Sequence, residues 1–125
     1  MILGLGIDVF AVSRMERVLR EGDPGLLRAL FTAREIAHCQ QQPRAATHYA
    51  ACFALKEATF KALAPDGRLM ARWRDIEIRP TTAGQRAVLL HGRTKAAARR
   101  LGVRRIFISL THARGLAAAS AVLES

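Results

Sequence analysis

The sequence predicts one α+β domain spanning residues 1–125. Three observations lead there. The length of 125 residues matches one domain, which usually holds about 100–150 residues. Half of the residues are hydrophobic, so a chain of this size can bury about two-thirds of its unfolded surface without staples. Strand-like and helix-like stretches follow one another in the order β-ααα-ββ-α-ββ, and strands gathered in pairs favour α+β over a doubly wound parallel sheet.

Residues 2–9 alternate loosely and are rich in Ile, Leu and Val, which reads as a first strand. Ser13-Arg14-Met15-Glu16 has the S-x-x-E form of a capping box. The helix it would open carries Met15, Val18 and Leu19 on one side and Arg14, Arg17 and Arg20 on another. Asp23-Pro24 is a cap followed by Pro at a first helical position. Thr32-Ala33-Arg34-Glu35 is a second capping box, and Gln40 to Pro43 ends its helix. Thr47 to Ala64, rich in Ala and free of Gly and Pro, is the most helical stretch. Pro65-Asp66-Gly67 stops it with a turn. Residues 75–79 alternate as a strand, Thr81 to Gln85 turn around Gly84, and 87–90 form a second short strand. Residues 94–101 are helical, with Gly102 as the residue after the helix. Val103–Thr111 and Leu116–Leu123 form a hairpin about a turn at Ala113-Arg114-Gly115.

Twenty Lys plus Arg stand against ten Asp plus Glu, for a net charge of +10, and 17 of the 20 cations are Arg. Such a chain expects an acidic partner: nucleic acid, an anionic membrane, an acidic protein or a polyphosphate. One Trp, one Tyr and five Phe are few for a protein that reads single strands by stacking. No apolar run approaches the ~20 residues of a spanning helix. MILGLGIDVF has no basic segment before it and is interrupted by Asp8, so it reads as a strand and not a signal peptide. Cys39 and Cys52 make neither a disulfide framework nor a zinc pattern, as expected of a reduced, cytoplasmic protein.

Gly4-Leu5-Gly6 lacks the third glycine of a dinucleotide fingerprint, because Val9 stands there. The two glycines read instead as room for something to pack close to the strand. Asp8 lies at the exit of that strand, a common place for a functional carboxylate as well as for a turn aspartate. Glu57 and Lys61 are four residues apart, which is also the spacing of an ordinary surface ion pair. Yet two of the three lysines, Lys56 and Lys61, flank Glu57 in a chain that otherwise uses Arg. Lys is a compact charge that can give up a proton, and Arg is not. Asp8 and Glu57 together could hold one hard cation, since Mg²⁺ takes one or two carboxylates plus substrate phosphates. His112 ends a strand beside a tight turn, where histidine is structural or catalytic. No Ser-His-Asp or Cys-His arrangement is present in the spacing.

Three blocks of residues together resemble the bacterial holo-acyl-carrier-protein synthases, the small single-domain class of 4'-phosphopantetheinyl transferases. The first is Gly4-x-Gly6-Ile7-Asp8 with Arg14. The second is Phe53-Ala54-Leu55-Lys56-Glu57-Ala58-x-x-Lys61-Ala62. The third is Asp75-Ile76-Glu77-Ile78 with Ser109-Leu110-Thr111-His112 and Ala117-Ala118-Ala119. The resemblance implies a 4'-phosphopantetheinyl transferase fold: a small, mostly antiparallel sheet packed with a long central helix and shorter helices. It implies transfer of the phosphopantetheine arm of coenzyme A to a serine of an acidic apo acyl carrier protein, with adenosine 3',5'-bisphosphate leaving, in the service of fatty acid biosynthesis. By the same resemblance Asp8 and Glu57 bind Mg²⁺, and Glu57 and Lys61 are catalytic. Arg44, Lys56, Lys61 and His112 lie near the coenzyme A phosphates, and Arg14, Arg17 and Arg20 dock the carrier. The expected assembly is a homotrimer with sites at subunit interfaces, with no nucleic acid and no membrane involved. The chain departs from the pattern at Cys52 for a usual Arg, at Leu55 for Ala, at Ala64-Pro65-Asp66 for a glycine-led turn, and at Gly84-Gln85-Arg86 for G-K-P. Two alternatives stand beside this reading: a basic nucleic-acid-binding module built on Arg99, Arg100, Arg104 and Arg105, and a relative that binds carriers without catalysis.

Overall fold

The computed structural model describes residues 1–64 and 67–125. The elements are β1 (Ile2–Ala11), α1 (Val12–Glu21), α2 (Pro24–Leu30), α3 (Ala33–Gln40), α4 (Ala45–Leu63), β2 (Ile76–Pro80), β3 (Arg86–Leu90), α5 (Gly92–Leu101), β4 (Arg105–Ala113) and β5 (Leu116–Glu124). The α+β class holds. Four helices, not three, separate the first two strands, because Asp23 accepts from the amides of Gly25 and Leu26 and opens a short helix of its own at Pro24. The expected turn at Pro65-Asp66 lies outside the described residues.

Two capping boxes were expected and one forms. Thr32 Oγ1 accepts from the Glu35 amide at 3.2 Å, and Glu35 Oε1 accepts from the Thr32 amide at 2.7 Å. The Ser13–Glu16 box does not form. β1 runs straight into α1, which begins at Val12 with Ala11 as its uncapped first flank. The Val12 amide donates to the Gly115 carbonyl at 2.8 Å, so the β4–β5 turn supplies the acceptor that a side-chain cap would otherwise provide. That turn holds Arg114 at φ 52° and Gly115 at φ 76°, the paired left-handed conformation of a tight hairpin.

The strands form two antiparallel sheets and not one. β1, β5 and β4 lie in the order β1-β5-β4, and β2 pairs only with β3. The outer edge of β2 is closed by side chains. The Ile78 amide donates to Glu35 Oε2 at 2.8 Å, and the Ile76 carbonyl accepts from Lys56 Nζ at 2.8 Å. The next residue on that edge, Pro80, has no amide to offer. No strand is needed there, because the edge groups already have partners.

The core is α4 laid across the three-stranded sheet. Its apolar positions are buried around most of its circumference, and Ala117, Ala119, Ala121 and Leu123 of β5 face it. Gly4 and Gly6 place β1 against it even more closely. A methyl group at Gly4 would overlap the Ala62 carbonyl oxygen, and one at Gly6 would overlap that of Ala58. Backbone therefore lies on backbone. A chain of aromatic edge-to-face contacts, Phe10–Phe53–Trp73–Phe60, seals the flank of α4, with ring centroids 5.1–5.5 Å apart.

Candidate active site

The close approach of α4 to β1 decides which side chains meet. Along β1, Gly6, Asp8 and Phe10 are buried while Leu5, Ile7 and Val9 are exposed, so Asp8 points toward the helix. One turn beyond Ala58, α4 turns Lys61 toward it. Lys61 Nζ stands 3.0 Å from Asp8 Oδ1 and 3.1 Å from the Ile7 carbonyl oxygen. Glu57, one turn earlier on the same face, lies beside the Asp8 carboxylate. Burial pushes the Glu57 carboxyl up to about 7, the hydrogen bond and charge of Asp8 push in the same direction, and Lys61 and Arg14 pull against them. The spacing alone left open whether Asp8 and Glu57 meet; the structure brings them together.

The donor set fits a divalent cation. Asp8 Oδ2 is buried and has no hydrogen-bond partner among the described residues, a cost that a bound cation would remove. Two like charges held side by side call for a positive one. No cluster of three or more His, Cys, Asp or Glu that could hold a metal is found among the described residues. The remaining ligands would therefore be water and phosphate oxygens, which is how Mg²⁺ is usually held.

Arg44 and His112 also come together. They line one open cleft of about 680 Å³ with Ser13, Glu16, Thr47 and Gly115. His112 pairs with Ala117, which pairs with Phe10, and Asp8 pairs with Ala119. His112 therefore lies on the same sheet face as Asp8, two strands across and one pleat along, about 12 Å away by strand geometry. Arg14, Arg17 and Arg20 are all exposed on α1. The Arg14 guanidinium lies 4.8 Å above the Phe10 ring, which anchors the cationic face next to Glu57.

Lys56 is placed elsewhere. It is fully buried, 2.6 Å from Glu35 Oε1 and 2.8 Å from each of the Trp73 and Ile76 carbonyls. Its three ammonium protons have three acceptors, so it cannot serve a phosphate. The scarcity of lysine marked this residue for a geometric reason and not a chemical one: three convergent acceptors suit a compact ammonium better than a planar guanidinium. Cys52 joins the same cluster, donating to Glu35 Oε2 at 3.4 Å, and burial raises its thiol pKa well above the ordinary value. Glu35 is the residue that sequence reasoning missed. Its capping-box role was legible, but its second role as the buried partner of Lys56 had only one signal, an acidic residue in a helix next to apolar Ile36. Removing either partner would leave an unpaired buried charge, at a cost of about 3–5 kcal/mol.

The raised Glu57 carboxyl has a consequence for stability. A carboxyl whose folded pKa exceeds its unfolded value stabilises the fold fully below the unfolded pKa, and that stability is lost as pH rises through the folded one. In chelator-treated protein, acidification from pH 8 toward 5 is expected to raise the melting temperature more in the parent than in Glu57→Gln. Matched melting curves across this range would contradict the carboxylate pairing.

Residues 4–119 match the family model of the 4'-phosphopantetheinyl transferase superfamily. A holo-[acyl-carrier-protein] synthase of Moorella thermoacetica is 43% identical over 124 residues, covering 99% of this chain and 95% of that protein. One from Geobacter sulfurreducens is 39% identical, covering 99% and 98%. The crystal structure of the Plasmodium yoelii holo-ACP-synthase superposes with a TM-score of 0.82 at 28% identity, covering 98% of this chain and 94% of that one. With the family model matched over residues 4–119 and the fold shared over 98% of the chain, the chain belongs to the 4'-phosphopantetheinyl transferase superfamily.

Proposed function

We propose that this protein is a holo-[acyl-carrier-protein] synthase that transfers the 4'-phosphopantetheine arm of coenzyme A to a serine of an apo acyl carrier protein. The serine oxygen forms a bond to the β-phosphorus, the bond to the departing adenosine 3',5'-bisphosphate breaks, and the serine proton is released to solvent. One observation carries the reading: Asp8 of β1 and the α4 residues Glu57 and Lys61, the nearer of which is 49 positions further along the chain (57 − 8), converge on one point in a member of this superfamily.

Asp8 and Glu57 are the residues to hold Mg²⁺. When bound, the ion supplies charge neutralisation and polarisation at the diphosphate. The rest falls to the chain. Lys61, at the exposed rim of the pair, stabilises or protonates the leaving phosphate oxygen. Arg44 and His112 hold the phosphates of coenzyme A in their shared cleft. The exposed arginines of α1 dock an acidic carrier and steer its approach. Buried, unpaired thiols at Cys39 and Cys52 fit a cytoplasmic setting, where the carrier would be that of fatty acid biosynthesis. No described helix is long and apolar enough to cross a membrane.

The assembly proposed is a homotrimer. Leu5, Ile7, Val9 and Phe107 on the outer face of the three-stranded sheet are 69, 66, 57 and 49% exposed, and contiguous apolar surface of this kind marks an interface. Ile7 lies between Gly6 and Asp8, so covering this face brings a neighbouring copy to the strand that carries the site. Sedimentation equilibrium should give three times the chain mass; a monomer mass would contradict the assembly. Of the basic cluster on which the nucleic-acid alternative was built, Arg105 is paired with Glu124.

Intact-mass analysis of a panel of apo carriers, with coenzyme A and Mg²⁺, is expected to show the added phosphopantetheine, foremost on a fatty-acid carrier. No conversion of any carrier would overturn the reading. Asp8→Asn and Glu57→Gln should each lower kcat/KM by about 100-fold or more. Lys61→Arg should keep the charge yet lose about 100-fold in rate, and full activity there would rule out proton donation by Lys61.

A further inference from the structure

The Asp8–Glu57 pair already has a cation against it. Lys61 touches Asp8 Oδ1 and the Ile7 carbonyl oxygen, and both are hard oxygen donors of the kind that Mg²⁺ selects. One of them belongs to a carboxylate assigned above to the metal. An ammonium on Oδ1 and a divalent ion on the unpartnered Oδ2 of one carboxylate repel each other across it, so each weakens the other's hold on Asp8. The two partners differ in freedom to yield. The Asp8 side chain is 8% exposed and fixed in β1, whereas the Lys61 side chain is 54% exposed on a flexible stem with rotatable donors. Arg14 adds its positive charge near Glu57.

We infer that Lys61 is the resident counter-ion of the Asp8–Glu57 pair, and that an incoming divalent cation displaces it from Asp8, so the ammonium turns to the substrate phosphate only once that cation is in. The inference rests on the metal reading proposed above and deepens it by setting an order of events. Without the ion, Lys61 keeps the two carboxylates compatible with the folded state. With the ion, the same side chain becomes available to a leaving group. Cation and ammonium then compete, and such a coupling is equal in both directions. Removing the ammonium tightens the cation, and adding the cation loosens the ammonium.

Two measurements on the full chain, without coenzyme A, test this. Calorimetric titration with Mn²⁺ or Mg²⁺ should show Lys61→Met, which keeps the length and removes the charge, binding the ion about 5- to 100-fold more tightly than the parent. Pulse acetylation of the parent, read by peptide mass spectrometry, should show Lys61 labelling rise on addition of Mg²⁺ relative to Lys95, which is exposed on α5. Equal or weaker binding by Lys61→Met, or Lys61 labelling that is unchanged or lowered by Mg²⁺, would overturn the displacement. Asp8→Asn separates the two claims. If the parent binds the ion, Asp8→Asn does not and Lys61→Met is no tighter, the metal site stands and the displacement alone fails. If neither the parent nor Lys61→Met binds the ion, the metal site is wrong and the displacement falls with it.

Discussion

Everything at the site depends on how closely the backbone of α4 lies on the backbone of β1. Gly4 and Gly6 carry no side chains where the Ala62 and Ala58 carbonyls press in. Any larger residue would hold the helix off by the thickness of a methyl group or more. At the observed separation Lys61 reaches Asp8 and Ile7, and Glu57 shares the Asp8 environment. Neither glycine has a left-handed backbone, so their role is space and not conformational freedom. The small side chains of α4 and of β5, Ala50, Ala51, Ala54, Ala58 and Ala62 against Ala117, Ala119 and Ala121, extend the same close packing across the sheet.

A second constraint fixes the rotation of α4. Lys56 points away from β1 into a buried cluster with Glu35 and the carbonyls of Trp73 and Ile76. Its neighbour Glu57 is then turned about 100° around the helix toward Asp8. The pair also closes the edge of β2, which explains why the smaller sheet ends where it does. Adjacent lysine and glutamate therefore divide the work: one holds the helix, the other faces the chemistry. Cys52 contributes its thiol to this holding cluster.

Much of this was legible in the sequence. The strand through Asp8, the long helix through Glu57 and Lys61, the Thr32 capping box, the Asp23-Pro24 start and the Arg114-Gly115 turn all rest on local chemistry, which a sequence displays directly. The close packing at Gly4 and Gly6 was legible too, as an unassigned need for room. The rest depends on partners distant in the chain. Ser13 was misread as a cap because the acceptor for the first helical amide comes from Gly115, about a hundred residues away. Lys56 was misread as a phosphate ligand because its partner, Glu35, already had a sufficient local explanation. The split into two sheets followed from side chains that close a strand edge, which no periodicity reveals.

The most direct test of this account is Gly6→Ala, which leaves Asp8, Glu57 and Lys61 unchanged and adds one methyl group between β1 and α4. The melting temperature and the rate of phosphopantetheine transfer are measured together. The account predicts that both fall, because the helix is pushed off the strand that it must touch. A Gly6→Ala protein that melts with the parent and transfers at the parent rate would contradict it.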